Sequence, residues 1–161
     1  MATVRAAKYG MKQVKIGGYM ENRFLSKAKG QTSEIWYYGM LTLYKEYTCH
    51  IKDNWYNEMI CNASTLCRCT GLRDKNGELI WEGDIILFQR DSDDCPFQNK
   101  DTKKRVGKVF YSDFRATFAI GMGKNGSKSL NDDLWKYVQN GNRVEVIGNI
   151  FDNPELLKVQ P

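Results

Sequence analysis

The chain has 161 residues, 42% of them hydrophobic, which is enough to bury one sizeable core and predicts a single compact domain. No apolar run approaches the roughly 18 residues that span a bilayer, and Met1 to Ala7 lacks the apolar stretch of a signal peptide, so the expectation is a soluble, cytoplasmic protein with no membrane partner. The net charge of +5 is uneven: residues 1–30 carry Arg5, Lys8, Lys12, Lys15, Arg23, Lys27 and Lys29 against Glu21 alone, leaving 17 positive and 18 negative side chains over the rest. Such a segment suits phosphates or an acidic protein surface, or is a solvated arm.

In chain order, the glycines and dispersed charges of residues 1–33 allow short strands near Gln13 to Ile16 and Tyr19 to Leu25. From Ile35 to Ile51 the aromatic and β-branched content predicts strands, with Gly39 at a bend or bulge. Apolar side chains fall on both alternating faces, so these strands are either buried on both sides or cover a partner. The pattern from Asp53 to Ile60 fits a turn followed by either a strand or a short helix. Asn76-Gly77 lies between two strand-like runs and tolerates the positive φ angles of a type I′ hairpin. Glu82-Gly83-Asp84 then bends the chain into a core strand, Ile85 to Phe88.

Residues 90–105 have the polar composition of an exposed loop. Strands are expected at Val106 to Tyr111 and Ala116 to Ile120 around a four-residue connection, followed by a short helix within Ser129 to Tyr137. Val144 to Ile150 closes the sheet, and Asn153 to Leu157 reads as a capped terminal turn with Pro154 at its first helical position. The absence of any long internal repeat and the close spacing of short strands indicate a mainly β protein, a small barrel with one or two short helices.

No chemistry-bearing pattern stands above its plainer alternative. Gly121 to Gly126 spells G-x-G-x-x-G, but too little chain follows for parallel strands and crossover helices, so a glycine-rich turn is expected. Cys49, His50, Cys61, Cys67 and Cys69 could supply zinc donors, yet Cys67-Arg-Cys69 is not the usual C-x₂-C knuckle and small buried hydrophobes are the simpler reading. Cys49 and His50 are adjacent, hence on opposite faces of a strand, which disfavours a thiol–imidazole pair. Glu82 and Asp84 could work as paired carboxylates, but more simply bond backbone N–H groups around Gly83.

Two segments, Thr70-Gly-Leu-Arg-Asp-Lys-Asn-Gly-Glu-Leu-Ile-Trp-Glu-Gly-Asp-Ile-Ile-Leu-Phe88 and Val144-Glu-Val-Ile-Gly-Asn-Ile-Phe-Asp-Asn-Pro-Glu-Leu-Leu157, resemble the YopX family of phage and prophage proteins. The resemblance runs from about Leu66 to Lys158 and implies an SH3-like barrel over 64–161, with residues 1–63 as a basic, aromatic-rich extension packed on it. The matching positions, among them Asn76, Gly77, Glu82, Gly83 and Asp84, are turn glycines, turn polars and core aliphatics. They constitute a structural turn motif and not an active site, and the chain is read as a non-enzyme with no cofactor and no metal.

The expected contact residues therefore lie in the extension: Arg5, Lys8, Lys12, Lys15, Arg23, Lys27 and Lys29, with Trp36, Tyr37, Tyr38 and Tyr44. The reading favoured is a phage accessory protein that binds and modulates a bacterial host protein, of the kind that inhibits CRISPR or restriction defence. The alternative is a nucleic-acid-binding barrel, its basic arm on phosphates and its aromatics stacked on bases. Exposed strand edges also make a homo-oligomer compatible with the pattern.

Overall fold

The computed structural model describes residues 25–53, 55–89, 104–139 and 143–158. The strands anticipated near residues 13–24 and most of the loop expected at 90–105 lie outside the described residues, as do Arg5, Lys8, Lys12, Lys15 and Arg23. About 60% of the described chain is strand, arranged in two antiparallel sheets, one of them curled into a half-barrel, with very little helix.

The first sheet contains β1 (Leu25–Lys29), β2 (Trp36–Tyr44), β3 (Thr48–Lys52), β4 (Glu58–Asn62), β5 (Cys67–Arg73) and β6 (Leu79–Trp81), in the order β4-β3-β2-β1-β5-β6. Its first four strands form a meander that curls far enough for Gly30 to bridge Cys61, with the Gln31 N–H donating to the Ile60 carbonyl. So tight a curl is filled mostly by small side chains: Ala28, Cys49, Cys61 and Ala63 surround Ile51, all buried. Asp53 to Ile60, left open by the pattern, resolves into a turn and β4. Because β1 pairs with β5 in the register Ser26↔Arg68 and Lys27↔Cys67, one sheet runs through the boundary placed at 63/64.

The second sheet contains β7 (Asp84–Gln89), β8 (Lys104–Ser112), β9 (Thr117–Gly123), β10 (Ser127–Asp133) and β11 (Val144–Asn149), in the order β10-β9-β8-β7-β11. Its core is bulkier: Ile86, Phe88, Val109, Ile120 and Val144 pack with Ile80 and with Leu134 and Tyr137 of α1 (Leu134–Gln139), the one α-helix among the described residues. Phe88 lies edge-on to Tyr137 with ring centroids 5.1 Å apart. Each fully buried side chain of this size contributes roughly 1.5–3 kcal/mol. The expected helix is shorter than Ser129 to Tyr137 because Asn131 to Asp133 instead pair with Ala119 to Gly121 as part of β10. Gly121 to Gly126 makes the anticipated turn, with Asn125 and Gly126 both at positive φ.

The hairpin joining β5 to β6 differs from a type I′ turn. Only Gly77 (φ +82°) has a positive φ there, so the turn is a type I bend closed by one left-handed glycine. Asp74 explains the preference: its Oδ1 accepts from the backbone N–H of Asn76 (2.8 Å) and Glu78 (3.0 Å), while Oδ2 accepts from the Val146 N–H at 3.0 Å. One buried carboxylate thus shapes the turn and ties it to β11 of the other sheet.

Candidate functional site

Where the two sheets meet, Lys27, Lys29 and Trp36 turn inward. Lys27 on β1 is 6% exposed and donates to Asp84 Oδ1 at 2.9 Å, its Nζ held 5.2 Å from the Trp36 ring and 5.3 Å from the Trp81 ring. Asp84 Oδ2 accepts the Trp81 N–H at 2.7 Å. Burial raises the Asp84 pKa, and the Lys27 ammonium only partly offsets it. Lys29 bridges Glu34 and Asp152, the latter at 2.7 Å, and the hydrogen bonds it donates to Asp152 and Glu34 raise its pKa. Burial would raise the pKa of Asp152, but donors Lys29, Asn149 and Trp36 (Nε1 at 2.8 Å) hold it below the usual range.

These contacts place the sequence-derived candidates in two groups. Lys27, Lys29 and Trp36 belong to the sheet junction, where the ammonium groups already have carboxylate partners and Trp36 stacks edge-on against Phe151 at 5.7 Å. That correction to the expected phosphate-facing role follows from charge burial: a lysine this enclosed must be paired. Tyr37 packs on the Ala28 cluster. Tyr38 is partly exposed against Trp81, with burial pushing its phenol pKa up, and Tyr44 is exposed.

The turn motif serves the same junction. Gly83 has φ +83°, its N–H donates to the Val109 carbonyl and its own carbonyl accepts from Ile150, both at 2.9 Å. Glu82 pairs with Arg68 (2.9 Å), whose guanidinium sits 4.3 Å from the Tyr111 ring centroid, and also accepts the Tyr111 N–H. Burial favours a neutral Glu82, but Arg68 outweighs it and the pKa is lowered.

The four thiols among the described residues are enclosed. Cys49 and Cys61 face each other across β3 and β4 with no exposure, and burial pushes Cys61 up to about 11 and Cys67 to about 12, leaving them protonated and unreactive at neutral pH. His50 points to the opposite face of β3, with Nδ1 3.5 Å from Glu58 Oε1, which also accepts from Thr42 Oγ1 at 2.7 Å. Among the described residues no three His, Cys, Asp or Glu side chains converge on a metal-sized site.

What remains open is the outer face of β2, β3 and β4. Met40 (58% exposed), Leu43 and Ile60 (53%) share this face with His50, Lys52 and Glu58, as the pairings Met40↔Lys52, Leu43↔His50 and His50↔Ile60 require. At its border the β3–β4 turn lifts Trp55 and Tyr56 into solvent. Asp53 builds that turn: Oδ1 accepts the N–H groups of Trp55 and Asn57, Oδ2 accepts the Asn57 side-chain amide, and its carbonyl accepts the Tyr56 N–H. Tyr56 lies at φ +67°, a conformation costing a bulky residue about 1–2 kcal/mol. Gly39 admits the turn's base, since a Cβ there would stand 2.0 Å from the Lys52 carbonyl oxygen. Met40, Tyr56 and Ile60 were not singled out by sequence reasoning; the Asp53…Asn57 spacing was the signal that could have marked the turn.

The YopX protein family model matches residues 20–158, so β1 to β4 lie within the match. Among solved structures, protein EF1440 from Enterococcus faecalis is similar at 21% identity, covering 82% of this chain and 96% of that one, with a TM-score of 0.48. No curated protein matches the chain.

Proposed function

Because this chain belongs to the YopX family, and its motif residues build turns and a sheet junction, we propose that it acts by binding and not by catalysis. Its partner in this reading is a bacterial protein, docked on the outer face of β2–β4 and modulated by that contact. The observation that carries the reading is the distribution of apolar surface: of thirteen exposed large hydrophobic side chains among the described residues, ten fall between Ile35 and Ile60. Exposed apolar side chains concentrated in one part of a sheet suit a contact, whereas singly scattered ones need no explanation. The inward pairing of Lys27 and Lys29 removes two of the cations that a nucleic-acid interface would have used.

The test is a tagged pull-down from bacterial lysate with and without nuclease, using the wild type and Met40→Glu/Ile60→Lys. A single protein retained near equimolar after nuclease and lost by the double variant is the expected result. Loss of every partner on nuclease treatment would instead make the chain a nucleic-acid-binding module.

A further inference from the structure

We infer that the β3–β4 turn held by Asp53 and Asn57 is the anchor of this surface, and that Trp55 and Tyr56 insert into an apolar cleft with a cationic rim on the partner protein. The inference rests on the docking face proposed above and specifies what it meets.

Both rings stand clear of the molecule, Trp55 at 81% and Tyr56 at 80% exposure, so the feature is convex and its complement is a cavity. Rings of this type bury on the order of 150–250 Å² each, and Trp and Tyr dominate the few contacts that carry binding energy. The turn is already ordered by the Asp53 hydrogen bonds, which lowers the entropy lost on docking. Tyr56 adds an independent sign. Its φ of +67° would suit glycine, yet the chain places there a ring that within the molecule meets the Lys52 ammonium at 4.9 Å. Strain kept at an exposed aromatic is of the kind found at binding elements. Around the rings, Asp53 and Glu58 outweigh Lys52, so the border of the anchor is acidic. That polarity repels a phosphate backbone and matches basic side chains at the mouth of a protein cleft.

The test places p-benzoylphenylalanine at position 55, and separately at position 114, in the full chain expressed in bacterial cells, with irradiation and identification of what is joined. It is paired with affinity and melting measurements on Trp55→Ala, Tyr56→Gly and Phe114→Ala. The expected result is one protein crosslinked from position 55 and none from 114. Trp55→Ala should then weaken that protein's binding roughly 30-fold or more, and Phe114→Ala should bind as wild type. Tyr56→Gly separates the anchor from a structural role: it should weaken binding while raising the melting temperature by about 2–4 °C, as relief of strain predicts. The anchor is overturned if a protein lost by Met40→Glu/Ile60→Lys still binds Trp55→Ala and Tyr56→Gly at full strength, an outcome that leaves the docking face standing. Capture of no protein by any form overturns both, and a crosslink to nucleic acid overturns the protein cleft.

Discussion

The two sheets spend their hydrophobic residues differently. The second wraps β7, β8, β9 and β11 around Phe88, Ile86 and Ile120 and sets α1 over them, leaving few large apolar side chains in water. The first closes its meander over small residues, Ala28, Cys49 and Cys61, and turns Met40, Leu43 and Ile60 outward. One sheet supplies stability and the other offers surface, so substitutions in the two should separate folding from binding. Between them lies a polar junction, Lys27–Asp84 and Lys29–Asp152, that holds the outward-facing sheet on the stable one.

The comparison is broken most severely at Phe88 and Lys27. Phe88→Ala should cost about 3–5 kcal/mol in chemical denaturation, because its cavity opens beneath α1. Lys27→Met should cost a similar amount, about 3–5 kcal/mol, by stranding the buried Asp84 carboxylate. Its deficit should depend on pH. Asp84 already has a raised folded-state pKa, and removal of the ammonium raises it further, so protonation relieves the defect and the loss at pH 8 should exceed that at pH 5. A deficit independent of pH would mean that Asp84 is not the group left unpaired.

Gly39→Ala should cost about 1–3 kcal/mol, since the new methyl group displaces the Lys52 carbonyl, and should also impair binding by moving the Trp55 turn. Alkaline titration probes the buried thiols, at the sheet junction and inside the meander alike. The Cys67 thiol is raised from 9.0 to about 12 in the folded chain, so the stability it contributes is complete below pH 9 and is lost as pH rises from there toward 12. Cys67→Ala should make that part of the stability–pH curve shallower, the remaining slope belonging to Cys49, Cys61 and Cys69, which burial also raises. The smallest stability effect belongs to the outer face: Ile60→Lys should change unfolding free energy by no more than about 0.5 kcal/mol while abolishing partner capture. A large loss of stability there would show that this face is covered within the folded chain.

Much of the chain from Cys67 onward was legible in advance because its signals are local. Asn76-Gly77 marked a hairpin, Gly83 a bend, Ile85 to Phe88 a core strand and Asn153-Pro154 a terminal turn, each from one or two residues whose backbone preferences admit few conformations. The hairpin type was misjudged because the Asp74 carboxylate shapes the turn, accepting from Asn76 and Glu78 while also held by Val146, 72 positions away, and the Asn76-Gly77 dipeptide preference contains none of those bonds. Lys27 and Lys29 look, in sequence, like the rest of a basic arm. Their alternation along β1 places both on one face, but only pairing of β1 with β5 brings that face to Asp84 and Asp152.

The amino-acid sequence by itself therefore determined a mainly β chain of a recognisable family, with its turns, its core strands and an aromatic-rich N-terminal half, because glycine, proline and alternating apolar residues act through nearest neighbours. Tertiary structure alone decided which aromatic and basic side chains became internal and which stayed in water. A lysine's burial depends on whether a carboxylate distant in the chain arrives beside it, and an aromatic strand's exposure depends on how tightly its sheet curls. Both are set by long-range pairing, here Lys27 with Asp84 and Gly30 with Cys61.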